Sequence, residues 1–236
     1  MNDPLNSIDP DLNLLDTCRS TQCFSPTEFN SQYAFDSEFS MIHFNARSLS
    51  KNFENISLFL SSLKHSFTVI AISETWISNA PVFPFNLPGY KFIHSDRISG
   101  RGGGVGLFIK NDILFQIRTD ISFVSENDSN FCEYLFIDFM SDNLKYTIGV
   151  IYRKPDLHVD DFIEFYTNTL RKITAEQRNV FIAGDFNIDL LKCIENLDAN
   201  KFSTANFLFG FDPLIKSATR ITLNSATRID NFFHKC

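Results

Sequence analysis

Five apolar runs in this chain each lead into a short polar motif, and that arrangement constrains the fold more than any other feature. The motifs are His43-Phe44-Asn45-Ala46-Arg47, Ser73-Glu74-Thr75-Trp76, Gly149-Val150-Ile151-Tyr152-Arg153, Gly184-Asp185-Phe186-Asn187 and Arg228-Ile229-Asp230. Met41 to Phe44 reads as a short strand. Leu49 to Leu63 carries Phe53, Ile56, Phe59, Leu60 and Leu63 at helical spacing, and Phe67 to Ile72 is a continuous, β-branched-rich run of the kind buried on both faces. A β–α–β opening of this type implies a right-handed crossover, which allows the two strands to lie adjacent and parallel.

The middle of the chain is rich in strands. Tyr90 to His94, Val105 to Ile109, Ile113 to Arg118, Cys132 to Phe139 and Tyr146 to Tyr152 each read as one, with a loop marked by Pro81, Pro84 and Pro88-Gly89 and a tight turn at Arg101 to Gly104. Val159 to Ile173 places Phe162, Ile163, Phe165, Tyr166, Leu170 and Ile173 on a helical face. Asn179 to Ala183 is a further buried strand, Asn200 to Phe209 a second helix, and Arg220 to Leu223 with Arg228 to Phe233 a closing hairpin around Asn224-Ser225. Strands and helices interleave with a large antiparallel share, which predicts two packed sheets covered by helices. Residues 1–38 are expected to form an acidic, disordered tail, and residues 39–236 the folded domain.

The net charge is −7, but residues 1–40 hold seven acids and one base, leaving the remainder close to neutral. No strong electrostatic signature of nucleic-acid binding is present, although local basic patches are compatible with this balance. The five cysteines show no CxxC and no zinc spacing; an odd count with no secretory leader points to reduced thiols inside the cell, in nucleus or cytoplasm. No apolar stretch approaches the roughly 20 residues of a membrane span.

Strand ends are where α/β proteins gather ligand-binding groups. Glu74 is a candidate Mg²⁺ ligand, or a loop acid. Asp185 could orient or deprotonate a water and Asn187 donate to a phosphate oxygen, or the pair could form an Asx-turn. Asn45 offers an amide to a metal or phosphate, or closes a turn. Tyr152 and Arg153 suit an anionic phosphodiester, or an exposed basic turn. Asp230 lies in an apolar strand, where a carboxylate needs a partner. Gly102-Gly103-Gly104-Val105-Gly106 is not a phosphate loop, because a strand pattern follows it where a helix is required. His43 and His234 sit poorly for catalysis.

On FNARSL (44–49), ISETW (72–76), the Pro-Gly-Tyr at 88–90, GRGGGVGLFIK (100–110), VIYRKP (150–155), VFIAGDFNIDLL (180–191), ATRIT (218–222) and RIDNFF (228–233), the chain resembles the endonuclease/exonuclease/phosphatase superfamily. It is most similar to the apurinic-type endonuclease domains of non-LTR retrotransposons. The resemblance implies a four-layer α/β sandwich with the site at one end. It implies a Mg²⁺ (or Mn²⁺) ion on Glu74 assisted by Asn45, water activation by Asp185, a scissile phosphate held by Asn187 and Tyr152, and Asp230 orienting a histidine. Thr219 and Arg220, or alternatively Thr227 and Arg228, would lie near the DNA backbone. The family's Ser-Asp-His motif on the last strand does not occur before Cys236, and the reverse transcriptase that usually accompanies such domains is not among these 236 residues. The expectation is therefore a truncated, monomeric DNA-nicking enzyme of weak or no activity. The alternatives are an inactive remnant that binds nucleic acid and a same-fold phosphatase acting on a lipid phosphodiester.

Overall fold

The computed structural model describes residues 22–33, 39–77, 85–97, 102–122 and 132–235. Helix α1 (Pro26–Gln32) precedes β1 (Met41–Asn45), α2 (Leu49–Ser62) and β2 (Val69–Ser73). Then come β3 (Tyr90–Ser95), β4 (Val105–Lys110), β5 (Phe115–Ile117), α3 (Thr119–Ser122), β6 (Cys132–Ser141) and β7 (Leu144–Arg153). Helix α4 (Val159–Thr174), β8 (Asn179–Asp185), α5 (Leu197–Leu208), β9 (Asp212–Pro213), β10 (Arg220–Ile221), β11 (Ala226–Thr227) and β12 (Asp230–Lys235) complete the order.

Two mixed sheets pack face to face. One runs β1-β2-β4-β3, with β1 and β2 parallel from Met41 opposite Val69 to Asn45 opposite Ser73. The other runs β5-β6-β7-β8-β12-β9, with β7 and β8 parallel. The continuous apolar run of β2 is explained by its two covered faces. Val69 and Ala71 point between the sheets toward Leu135, Ile148 and Val150, while Ile70 and Ile72 point outward under α2. On the far side α4 and α5 cover the six-stranded sheet. The result is the expected helix–sheet–sheet–helix sandwich.

The abundance of phenylalanine has a structural use. Phe162, Tyr166, Phe186, Phe202 and Phe233 form one ring cluster beneath α4 and α5, with centroids 5.1 Å apart for Phe186 and Phe202 and 5.3 Å for Phe186 and Phe233. Large buried rings contribute both area and edge-to-face contacts.

Two expectations are corrected. Within the presumed tail, residues 22–33 hold α1, capped by a Ser25–Glu28 capping box. It docks through Phe29 on Phe67 and through Asn30, which bonds Ser62 O and Lys64 N on the far end of α2. Residues 1–21 and 34–38 lie outside the described residues, as do Pro81, Pro84 and Arg101. The closing hairpin is confined to β10 and β11; the run from Asp230 instead joins the large sheet beside β8. Its Asn231 and Phe233 are buried there, and the core contact outweighs local hairpin pairing. Gly184 sits within β8, where a Cβ would overlap the Ile151 carbonyl oxygen, so only glycine allows β7 and β8 this approach.

Candidate active site

The carboxyl ends of β1, β2, β7 and β8 and the start of β12 meet at one end of the sandwich. Sheet register does most of the positioning. Asp185, the last residue of β8, lies opposite Tyr152 on β7 and opposite Asp230 on β12. From the other sheet, Asn45 donates its Nδ2 to Asp185 Oδ2 at 2.6 Å, so this amide bridges the two sheets.

Glu74 reaches the same place by a strained route. Ala46 N bonds Ser73 O, Ser48 N bonds Glu74 O and Leu49 N bonds Thr75 O, which lashes the loop after β1 to the loop after β2. From the opposite side Thr75 N and Trp76 N bond the carbonyls of Gly104 and Gly103. The backbone between these anchors is left-handed at Arg47, Ser48, Glu74 and Trp76. The Trp76 indole N–H donates to Glu74 Oε2 at 3.1 Å and orients the carboxylate. The triple glycine is thus a buttress: a Cβ at Gly104 would overlap the Thr75 hydroxyl, and one at Gly103 the Arg97 guanidinium.

The electrostatics are unbalanced toward negative charge. Asp185 is 2% exposed, and burial, reinforced by Asp230 and Glu74, pushes its carboxyl up to about 7 against bonds from the Asn187 backbone N–H and a favourable Arg47. Burial also raises Asp230, against Thr219, Asn45, Arg47 and Arg220. Tyr152 is pushed up to about 12 by burial and by the negative charge of Glu74 and Asp185. Arg47, exposed at the rim, is a cation that acts on both aspartates. It stands in FNARSL directly after a strand end, which was the available signal for it.

Asn45 Oδ1 and Asp230 Oδ1 are buried and accept no hydrogen bond among the described residues. Two orphaned oxygens beside half-buried Glu74, in a pocket short of positive charge, form a donor set suited to a hard cation. No three His, Cys, Asp or Glu side chains of the described residues close into a complete metal cage. Beside the orphaned oxygens His43, Asn45, Ile215, Thr219, Asp230 and Asn231 line a cavity of about 330 Å³ between β1 and β12.

Of the residues singled out from the sequence, Asn45, Glu74, Tyr152, Asp185 and Asp230 converge, with Thr219 and Arg220 on the adjacent β10–β11 hairpin. Thr219 Oγ1 accepts from Asp230 N at 3.3 Å. Arg228, the alternative to Arg220, is instead turned inward onto the carbonyls of Leu190, Ile215 and Lys216. Asn187 is left-handed and commits one amide hydrogen to Arg153 O at 2.7 Å, while the other meets no acceptor among the described residues. Arg153 is a correction. At 2% exposure it donates to the carbonyls of Lys154, Leu157 and Asn187 and lies over the Phe162 ring. It ties the loops behind the site together and is not placed to meet a substrate. His43 is partly buried, pairs with Ser73 Oγ and is lowered to about 4 by desolvation. His234 stacks on Phe181.

Two helix-covered mixed sheets with carboxylates and amides gathered at one end make the fold class shared by nucleases, phosphodiesterases and phosphatases. The chain belongs to the endonuclease/exonuclease/phosphatase family, whose sequence profile matches residues 42–235. No curated protein sequence matches it. Among solved structures it is similar to the endonuclease domain of TRAS1, a telomere-specific non-LTR retrotransposon (13% identity over 83% of each chain, TM-score 0.61). It is also similar to the AP endonuclease LMAP of Leishmania major (13% identity, 83% of this chain and 78% of that one, TM-score 0.62). A third likeness is to the 3′ phosphatase NExo of Neisseria, whose structure holds a product DNA hairpin (11% identity, 84% and 86% covered, TM-score 0.54).

Proposed function

We propose that this protein is a divalent-metal-dependent phosphodiester hydrolase that nicks DNA, of the kind carried by non-LTR retrotransposons. The observation that carries the reading is the meeting of Glu74, Asn45 and Asp185 around orphaned buried oxygens in a pocket where negative charge outweighs the rim cations Arg47 and Arg220. Glu74 and Asn45 Oδ1 would hold Mg²⁺ or Mn²⁺. When bound, the ion supplies Lewis-acid stabilisation of charge on the phosphoryl and leaving oxygens.

The remaining work falls to side chains. Asp185, with a pKa near neutrality, orients the attacking water and accepts its proton. Tyr152 keeps its proton at working pH and donates to a phosphate oxygen, as does the unused N–H of Asn187. Asp230 holds Thr219 through its backbone N–H. Arg47, Thr219 and Arg220 flank the mouth and would meet the backbone phosphates on either side.

Turnover is expected to be slow, because His43 is engaged with Ser73 Oγ, His234 stacks on Phe181, and no imidazole of the described residues pairs with Asp230. The same observation favours, as a second reading, a domain that binds DNA without cleaving it. Supercoiled-plasmid nicking in Mg²⁺ separates them. Nicking by the wild type that vanishes in Glu74→Ala and Asp185→Ala supports hydrolysis, and equal nicking by all three defeats it. Salt-sensitive DNA retention with no nicking supports the binding reading.

A further inference from the structure

Glu133 is an acid in the middle of a core strand. It sits on β6 at 3% exposure, directly opposite Tyr152 on β7. Burying an unpaired carboxylate is costly, and its partner arrives from the loop after β3. Arg97 Nε donates to Glu133 Oε1 at 2.6 Å and Nη2 to Oε2 at 3.2 Å, a fork-on-fork pair. The same guanidinium lies 5.7 Å from the centroid of the Tyr152 ring, where its charge acts on the tyrosine hydroxyl. Gly103 presses on it from the other side, where any Cβ would overlap it. Arg97 is therefore fixed on three sides, by Glu133, by the Tyr152 ring and by the glycine loop that also holds Trp76.

We infer that the Arg97–Glu133 pair is a positioning device for the Tyr152 hydroxyl, which it locks as a hydrogen-bond donor pointing into the catalytic pocket. A tyrosine hydroxyl has one proton to give. Arg97 has no acceptor, so it can meet the hydroxyl only at its oxygen. The proton is then left for the pocket side, where Glu74 and Asp185 exert their field on Tyr152 and where a phosphate oxygen would bind. The cation polarises the O–H bond and strengthens that donation. Glu133 keeps Arg97 from swinging into the pocket, where a free guanidinium would pair with Asp185 or Glu74. Arg97 touches no reacting atom in this scheme, so it is a positioning residue that acts through Tyr152.

The inference rests on the phosphodiester-hydrolase reading for its kinetic part, and on geometry alone for the rest. Two double-mutant cycles over Arg97→Met and Tyr152→Phe test it, one in nicking kinetics and one in urea unfolding without metal or DNA. Each substitution keeps the stem or ring and removes the polar head. Losing the cation that acts on the hydroxyl should lower kcat about 10- to 100-fold, with KM changed less than about threefold. Tyr152→Phe should mask the loss, so that the double variant nicks no more slowly than Tyr152→Phe alone. Arg97→Lys, which keeps charge without the fork, should recover part of the rate. In urea the effects of the two substitutions should likewise be less than multiplicative on the folding equilibrium. Independent, multiplicative effects in either cycle overturn the proposal. A wild type that nicks nothing defeats the hydrolase reading, and the unfolding cycle then decides the Arg97–Tyr152 coupling by itself.

Discussion

Replacing Asp185 by Asn should make the metal-free protein more stable while abolishing its chemistry. The Asp185 carboxyl is held up to about 7 from an ordinary 3.8, first by burial and then by Asp230 and Glu74. A raised carboxylate pKa means that the fold prefers the protonated acid. Below pH 3.8 folded and unfolded chains both carry the proton and no penalty exists. Between pH 3.8 and about 7 the unfolded chain has released it and the folded one has not, so stability falls as pH rises; above about 7 the loss is complete. Three pKa units at about 1.36 kcal/mol each give a penalty of about 4 kcal/mol at pH 8. The amide does not recover all of it. Asp185 accepts from Asn45 Nδ2 on one oxygen and from Asn187 N on the other, and an asparagine has only one acceptor oxygen. Forfeiting one such bond costs about 1 kcal/mol, which leaves a net gain of about 3 kcal/mol at pH 8. At pH 5 little more than one unit of the gap has opened, so the gain falls below about 1 kcal/mol. For a domain of this size the pH 8 value corresponds to a rise in Tm of roughly 6–12 °C. Circular-dichroism melts of both proteins in EDTA at pH 5 and pH 8 measure it. A variant that melts lower than wild type at pH 8, or one whose advantage is the same at both pH values, would show that the site does not store the electrostatic strain assigned to it.

Saturating Mg²⁺ should raise the wild-type Tm, by up to about 2–3 kcal/mol of added stability at a hundredfold excess over Kd, and should leave Glu74→Ala unmoved; a shift of equal size in both places the ion elsewhere. Gly184→Ala forces a methyl against the Ile151 carbonyl and separates β7 from β8, so a loss of at least about 3 kcal/mol in urea unfolding is expected, and a neutral result would mean that the two strands are not in close contact at this point. Arg153→Lys forfeits bonds to three backbone carbonyls and should cost about 2–4 kcal/mol of stability while leaving the salt slope of DNA binding unchanged; a slope reduced by about one unit would return Arg153 to the substrate-contacting set.

What the sequence displayed was the layering and the strand ends. Ile70 and Ile72 alternate with Val69 and Ala71 because β2 is covered on both sides, and an unbroken apolar run of this length fits little except a strand buried between layers. Glu74 and Asp185 were legible because each directly follows such a run. Arg153 was not, since nothing local distinguishes it from its exposed-looking neighbour Lys154; its burial is decided by the carbonyls of Leu157 and Asn187 and by the Phe162 ring, which the fold brings to it. Asp230 was read as a strand carboxylate needing a partner, but the pairing of β12 with β8 depends on burying Asn231 and Phe233, not on the tempting turn at Asn224-Ser225. The Arg97–Glu133 pair was invisible for the same reason: its members are 36 residues apart, on elements that meet only when the two sheets stack.

Seven non-glycine residues of the described chain have positive φ, and their distribution follows a rule. Asp142 and Asn143 form the two-residue turn between β6 and β7, where the twist of a hairpin asks for left-handed backbone. The other five, Arg47, Ser48, Glu74, Trp76 and Asn187, all lie in the three loops that carry the candidate site. Such conformations cost roughly 1–3 kcal/mol each and persist only where the surroundings over-determine them. Here the surroundings do so: the β1 and β2 loops are laced together by three backbone bonds, the glycine loop holds Thr75 and Trp76, and Arg153 holds Asn187. Relaxing any of these residues to ordinary φ would swing Glu74 or Asn187 away from Asp185 while gaining local stability. The chain thus keeps its polar groups converged against their own backbone preference, and it keeps three carboxylates there with little compensating charge. Structural ion pairs do not require that combination, since a carboxylate needed only for folding would be met by a base, as Glu133 is by Arg97. Strain and uncompensated negative charge in one place are what a preorganised cation and phosphate site would look like before its ligands arrive.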